Sequence, residues 1–76
     1  MNKDIFERKW EGMRGEVRGW WGMLTQDDLD KVGGQFEVFI GLLREKYGYS
    51  RARAVKEIDQ HVAVYDAQRK NRIPTL

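Results

Sequence analysis

The stretch from Phe6 to Leu24 constrains this 76-residue chain more than any other. Phe6, Trp10, Met13, Val17, Trp21 and Leu24 follow one another at intervals of four, three, four, four and three residues. At 3.6 residues per turn these positions make one continuous apolar stripe, so the spacing predicts an amphipathic helix from about Lys3 to Met23. No other stripe is as long or as aromatic, and the rest of the chain must fold onto it. Asn2 is placed to cap this helix, and Asp4 to complement its dipole. The side away from the stripe carries Gly12, Gly15, Gly19 and Gly22, spaced three, four and three apart. A glycine inside a helix costs about 1 kcal/mol relative to alanine. Either the stripe outweighs four such penalties, or another backbone approaches the glycine side.

Thr25 reads as the next cap, with Asp28 three residues on in a variant of the capping box. Leu29 and Val32 point inward on a short helix that stops at Gly33 and Gly34. The pattern resumes in nearly the same phase as Phe36, Phe39, Ile40, Leu43 and Tyr47, so the glycine pair is either a bend between two helices or a kink within one. Gly48 is the expected left-handed terminator, and Tyr49 is placed to fold back on the preceding turn. Ser50 caps a last helix whose inward positions are Ala54, Ile58, Val62 and Tyr65, flanked by Val55 and His61. The expected core is therefore Phe6, Trp10, Met13, Val17, Trp21, Leu24, Leu29, Val32, Phe39, Ile40, Leu43, Tyr47, Ile58 and Val62. Beyond Tyr65 the periodicity fades into Arg69, Lys70, Asn71 and Arg72, and Pro74 cannot continue a helix. Residues 1–68 read as a single domain and 69–76 as a frayed basic tail. The predicted class is all-α: a small bundle of three to four helices, arranged as two roughly orthogonal helical hairpins.

Composition removes several functions. The chain lacks cysteine, which excludes disulfides and thiolate chemistry. Met1 to Lys9 is mostly polar and holds no secretory signal core, and nowhere are there the about 20 apolar residues of a membrane span. A soluble cytoplasmic protein is expected. Fourteen basic against twelve acidic residues give a formal charge of +2, with both signs interspersed, unlike the one-faced charge of a dedicated nucleic-acid binder.

Asn2, Lys3, Asp4, Lys9, Trp10, Gly15, Val17, Trp21 and Gly22 form the first part of a pattern. It continues with Leu24, Thr25, Asp27, Asp28 and Leu29, then Gly34, Gly41, Tyr47, Gly48, Tyr49 and Ser50, and ends with Lys56, Glu57 and Asp59. From Met1 to about Asp59 this pattern resembles the CsbD-like family of small bacterial proteins. The resemblance implies two roughly orthogonal helical hairpins and an association with the general stress response, and it brings no catalytic residues, cofactor or substrate. The chain departs from the family pattern where a second tryptophan is usual, near His61. It is also more apolar at Ile5, Trp20, Met23, Phe36, Val38 and Leu42, and Gly12 and Gly19 lie outside the family pattern.

Candidate chemistry is thin. Asp27, Asp28 and Asp30 lack the further ligands and the glycine of a calcium loop and suit a first helical turn instead. His61 is the one histidine and reads as a packing residue; Ser50 is taken by its cap. No metal, cofactor or small-molecule substrate is indicated, and an enzyme is not expected. Arg8, Arg14, Arg18, Arg51, Arg53, Arg69, Lys70 and Arg72 offer weak nucleic-acid binding as an alternative, but Glu7, Glu11 and Glu16 sit among them at spacings for intrahelical ion pairs. The leading expectation is self-association, or contact with another protein, through a face comprising Ile5, Gly12, Gly15, Gly19, Gly22, Met23, Val38 and Leu42.

Overall fold

The computed structural model describes residues 3–70, and four helices with no strand occur among them. These are α1 (Lys3–Trp20), α2 (Gln26–Val32), α3 (Phe36–Tyr47) and α4 (Arg51–Lys70). The expected Asn2 cap and residues 71–76 of the tail lie outside the described residues, whereas the first two residues of segment 69–76 belong to α4.

Helix α1 stops at Trp20, short of the Met23 that the periodicity suggests. Trp21 still donates its N–H to the Val17 carbonyl at 2.9 Å, but Met23 donates to the Tyr47 hydroxyl at 3.0 Å and Leu24 to the Trp21 carbonyl at 3.1 Å. A side chain from α3 thus takes a donor that a longer α1 would spend on its own backbone, and the chain reverses there. Trp21 and Leu24 remain buried, held by this turn instead of by the helix.

Thr25 and Asp28 form a reciprocal capping box at α2: the Asp28 N–H donates to Thr25 Oγ1 at 3.1 Å, and the Thr25 N–H to Asp28 Oδ2 at 2.9 Å. Gly33, at φ 53°, ends the helix by donating to the Leu29 carbonyl at 3.2 Å. Gly34 follows at φ 84°, so the glycine pair separates two helices and does not kink one. A β-carbon on Gly34 would stand 3.3 Å from Trp10 Cδ1 and 3.4 Å from Trp10 Cβ and Cγ. Helix α3 gets no side-chain cap from its own Gln35. Its first N–H, on Phe36, donates instead to Glu7 Oε2 of α1 at 3.0 Å. At its other end Gly48 (φ 71°) donates to the Arg44 carbonyl at 3.0 Å, and Tyr49 folds back to stack on Tyr47 with ring centroids 5.4 Å apart. Ser50 caps α4 by accepting the Arg53 N–H at 3.1 Å.

Helix α3 packs on α1, α2 and α4, and α4 closes on α1. Phe6, Trp10, Met13, Val17, Trp21, Leu24, Leu29, Val32, Phe39, Ile40, Leu43, Ile58 and Val62 all lie in one buried cluster with Phe36, Ala54 and Tyr65. Tyr47 is half-buried at its edge. Phe6 lies at the aromatic centre: it stacks on Phe39 at 5.3 Å, tilts against Trp10 at 5.2 Å and meets Phe36 edge-on at 5.6 Å.

Gly34→Ala combines a left-handed backbone with a close approach to a buried indole, and should destabilise the fold by about 1–3 kcal/mol. A fall in the urea midpoint at constant slope measures this; an unchanged midpoint would contradict the packing described.

Candidate interaction surface

Of the acidic residues weighed for chemistry, Asp28 and Asp30 are engaged in building the fold, and Asp27 is exposed in the first turn of α2. Asp28, only 7% exposed, completes the α2 cap and accepts from Lys46 Nζ of α3 at 2.9 Å. The Thr25 backbone N–H first, and the Lys46 ammonium second, hold its carboxyl below the ordinary range. Asp30 pairs with Arg14 of α1, and that guanidinium, helped by the Gln26 amide, lowers its pKa as well. Glu37 of α3 accepts both arms of Arg51 at the start of α4, at 2.6 and 2.8 Å, which lowers the carboxyl and raises the guanidinium. Asp66 of α4, 8% exposed, takes Lys9 Nζ of α1 at 2.7 Å.

These contacts change the reading of the arginines. Arg14 and Arg51 each bridge two helices, and Arg53 pairs with Glu57 within α4 at 3.4 Å while lying 4.7 Å above the Tyr49 ring. Glu7, expected in an intrahelical pair, instead caps α3. Arg8 donates to the Asp4 carbonyl. Arg72 lies outside the described residues.

The expected contact face divides into two regions. On α1, Gly12, Gly15 and Gly19 are exposed, and Gly22 sits beyond the helix end in the turn to α2. A β-carbon on Gly12 would meet the Tyr65 hydroxyl at 3.3 Å, so α4 lies close there, whereas one on Gly15, Gly19 or Gly22 would meet nothing within 4 Å. Ile5 is half-buried against the core, and Met23 is 57% exposed. Val38 and Leu42 lie elsewhere, in a groove of about 160 Å³ between α2 and α3 that also includes Asp28, Lys31, Val32 and Glu45.

A third feature escaped the sequence. Trp20, Gln60, His61, Val64, Tyr65 and Gln68 line a groove of about 240 Å³ between the end of α1 and α4. His61 packs against Trp21 at 4.5 Å and Trp20 at 5.1 Å, with its Nδ1 donating to the Glu57 carbonyl at 2.9 Å. Its packing role is thus shared with two tryptophans. The available signal was Val64, an apolar residue off the inward stripe of α4 and 57% exposed.

Several curated proteins are similar to this chain over most of its length. A protein of Protochlamydia amoebophila is 46% identical over 57 residues, covering 75% of this chain and 86% of that one. One from Pseudomonas aeruginosa is 41% identical over 58 residues, covering 76% and 89%. Both are named as members of UPF0337. This chain belongs to that family, the CsbD-like proteins. A third CsbD-like protein, from Bdellovibrio bacteriovorus, is 41% identical over 66 residues, covering 87% of this chain and 71% of its own length. No family model matches the chain, and no solved structure does. No helix among the described residues is long and apolar enough to cross a membrane.

The lowered carboxyls of Asp28, Asp30 and Glu37 fix the sign of the acid response. Their contribution to stability is complete above the ordinary carboxylate range, near pH 4, and is lost as pH falls below it through the lowered folded values. Denaturation midpoints measured at pH 7 and near pH 3 should therefore fall on acidification. Asp28→Asn should start lower at pH 7 and lose less on acidification; an equal loss would place the response elsewhere.

Proposed function

We propose that this CsbD-like protein is a non-enzymatic, stress-associated protein of the bacterial cytoplasm that works through protein contacts, foremost with a second copy of itself. The observation that carries the reading is the state of Gly15 and Gly19. Both lie within α1, both are exposed, and beyond the adjoining backbone of α1 and the two chain neighbours neither has a described atom within 4 Å of where a β-carbon would stand. Each costs α1 about 1 kcal/mol relative to alanine without any steric return inside the monomer. Close approach of another backbone supplies that return. The engagement of Asp28, Asp30, Ser50 and His61 in caps, ion pairs and ring packing supports a non-catalytic role. The steep crossing of two helical hairpins belongs to the same proposal, with Lys9–Asp66 clasping α1 to α4.

Sedimentation from micromolar to millimolar concentration tests the reading. Reversible self-association is expected, and a strict monomer throughout would contradict it. Gly15→Leu or Gly19→Leu should abolish the glycine-side contact and leave the monomer helical. Gly15→Ala and Gly19→Ala should each stabilise the monomer by up to about 1 kcal/mol in thermal or urea unfolding.

Nucleic-acid binding through arginines is the competing reading, and the pairing of Arg14, Arg51 and Arg53 with carboxylates weighs against it. Titration with duplex and single-stranded oligonucleotides at two salt concentrations separates the two. Tight binding that weakens steeply with salt would favour phosphate recognition; no binding at low salt removes it.

A further inference from the structure

We infer that the groove between α2 and α3 seats a second copy of this chain about a two-fold axis, with Lys31 of each copy meeting the partner's Glu45. The inference rests on the self-association proposed above, but places a contact on a face separate from the glycine side of α1.

Val38, Leu42 and Glu45 stand four and three residues apart on α3, so they share one face of that helix. Gly41 lies beside them, exposed, with nothing within 4 Å of a β-carbon. Val38 is 39% exposed, while Leu42 is half-buried and Val32 is buried beneath them. The groove thus has an apolar floor, an open apolar rim, and room for a branched aliphatic side chain from outside.

Its charges select the occupant. Lys31 comes from the α2 side and Glu45 from the α3 side, and both line the groove. Neither takes part in an ion pair or side-chain hydrogen bond among the described residues. The third charged residue of the groove, Asp28, is already matched by Lys46. One unmatched cation and one unmatched anion, on opposite sides of an apolar floor, make a patch that complements itself. In a two-fold contact residue i meets j and j meets i, so the pairing of Lys31 with Glu45 forms twice and leaves no like charges opposed. An antiparallel crossing of the two α3 helices places Leu42 beside the axis, with Val38 against the partner's Glu45 stem and Gly41 allowing close approach. A uniformly acidic or basic partner would match one wall and be repelled by the other.

Charge reversal and its compensation test this on the full chain, with circular dichroism to confirm that each exposed-site variant is folded. By sedimentation equilibrium, Lys31→Glu and Glu45→Lys should each weaken self-association by about tenfold or more, because each replaces two attractions with two repulsions. The double variant Lys31→Glu with Glu45→Lys should recover to within about threefold of the parent. Val38→Glu should abolish the contact. Single reversals without effect, or a double variant no better than the singles, overturn the inference. A parent chain that is monomeric at every concentration overturns it together with the self-association reading. A dimer indifferent to the reversals yet broken by Gly15→Leu overturns this inference alone. A photo-crosslinker at position 38 in cells reports the occupant: the cross-linked homodimer supports the inference, and exclusive capture of a different protein overturns it.

Discussion

The stacking of Phe6 on Phe39 is the contact from which the rest of the bundle follows. It fixes α1 against α3 at the point where Trp10, Phe36 and Trp21 converge, and Trp21 meets Phe39 edge-on at 5.4 Å. That convergence requires the α2–α3 connection to pass directly over the Trp10 ring. A β-carbon there would press on the indole, and Gly34 supplies both the space and the positive φ. Because α3 also touches α2 and α4, setting α1 on α3 sets the whole arrangement. A chain of this length buries a modest fraction of its surface, so an aromatic centre that gathers four elements into one cluster is an economical solution.

Around that centre the polar contacts follow a simple rule: carboxylates join helices. Asp30 ties α2 to α1, Asp28 ties α2 to α3, Glu37 ties α3 to α4, and Asp66 ties α4 to α1. Glu7 adds a fifth link, from α1 to the first N–H of α3. Such links contribute little individually where they are exposed, and more where a carboxylate also satisfies a helix end. Their arrangement fixes which helix ends meet, and burial of the apolar cluster supplies the main driving force. The same links draw Arg14 and Arg51 into the scaffold, where each is matched by a carboxylate from another helix.

Local signals were read well because each is written in adjacent residues. Thr25 with Asp28, Gly48 with Tyr49, and Ser50 before α4 all act where their spacing places them. Periodicity likewise brings out Phe6 to Val17 and Ala54 to Tyr65 as inward stripes. The misses have a common origin in contacts between residues far apart in sequence. Met23 looked helical until the Tyr47 hydroxyl claimed its N–H, and Glu7 looked like a surface charge until α3 proved to lack a cap of its own. Trp20, an apolar position outside the stripe, is half-buried because His61 and Tyr65 of α4 pack against it. Val38 and Leu42 of the α2–α3 groove belong to the expected contact face, but Lys31 and Glu45 reach the same site only because α2 packs on α3.

Two features lie outside the core of this CsbD-like chain: exposed Gly15 and Gly19 on α1, which its own fold does not fill, and an apolar groove lined by Lys31 and Glu45, neither of which is paired among the described residues. Both features fit a surface shaped for a second copy. Backbone amide chemical shifts followed from micromolar to millimolar concentration test this most directly. The account predicts progressive, saturable shifts at Lys31, Val38, Gly41 and Glu45 and at Gly15 and Gly19, with the core-facing amides of α4 unmoved. Spectra that superimpose across the whole range would contradict it.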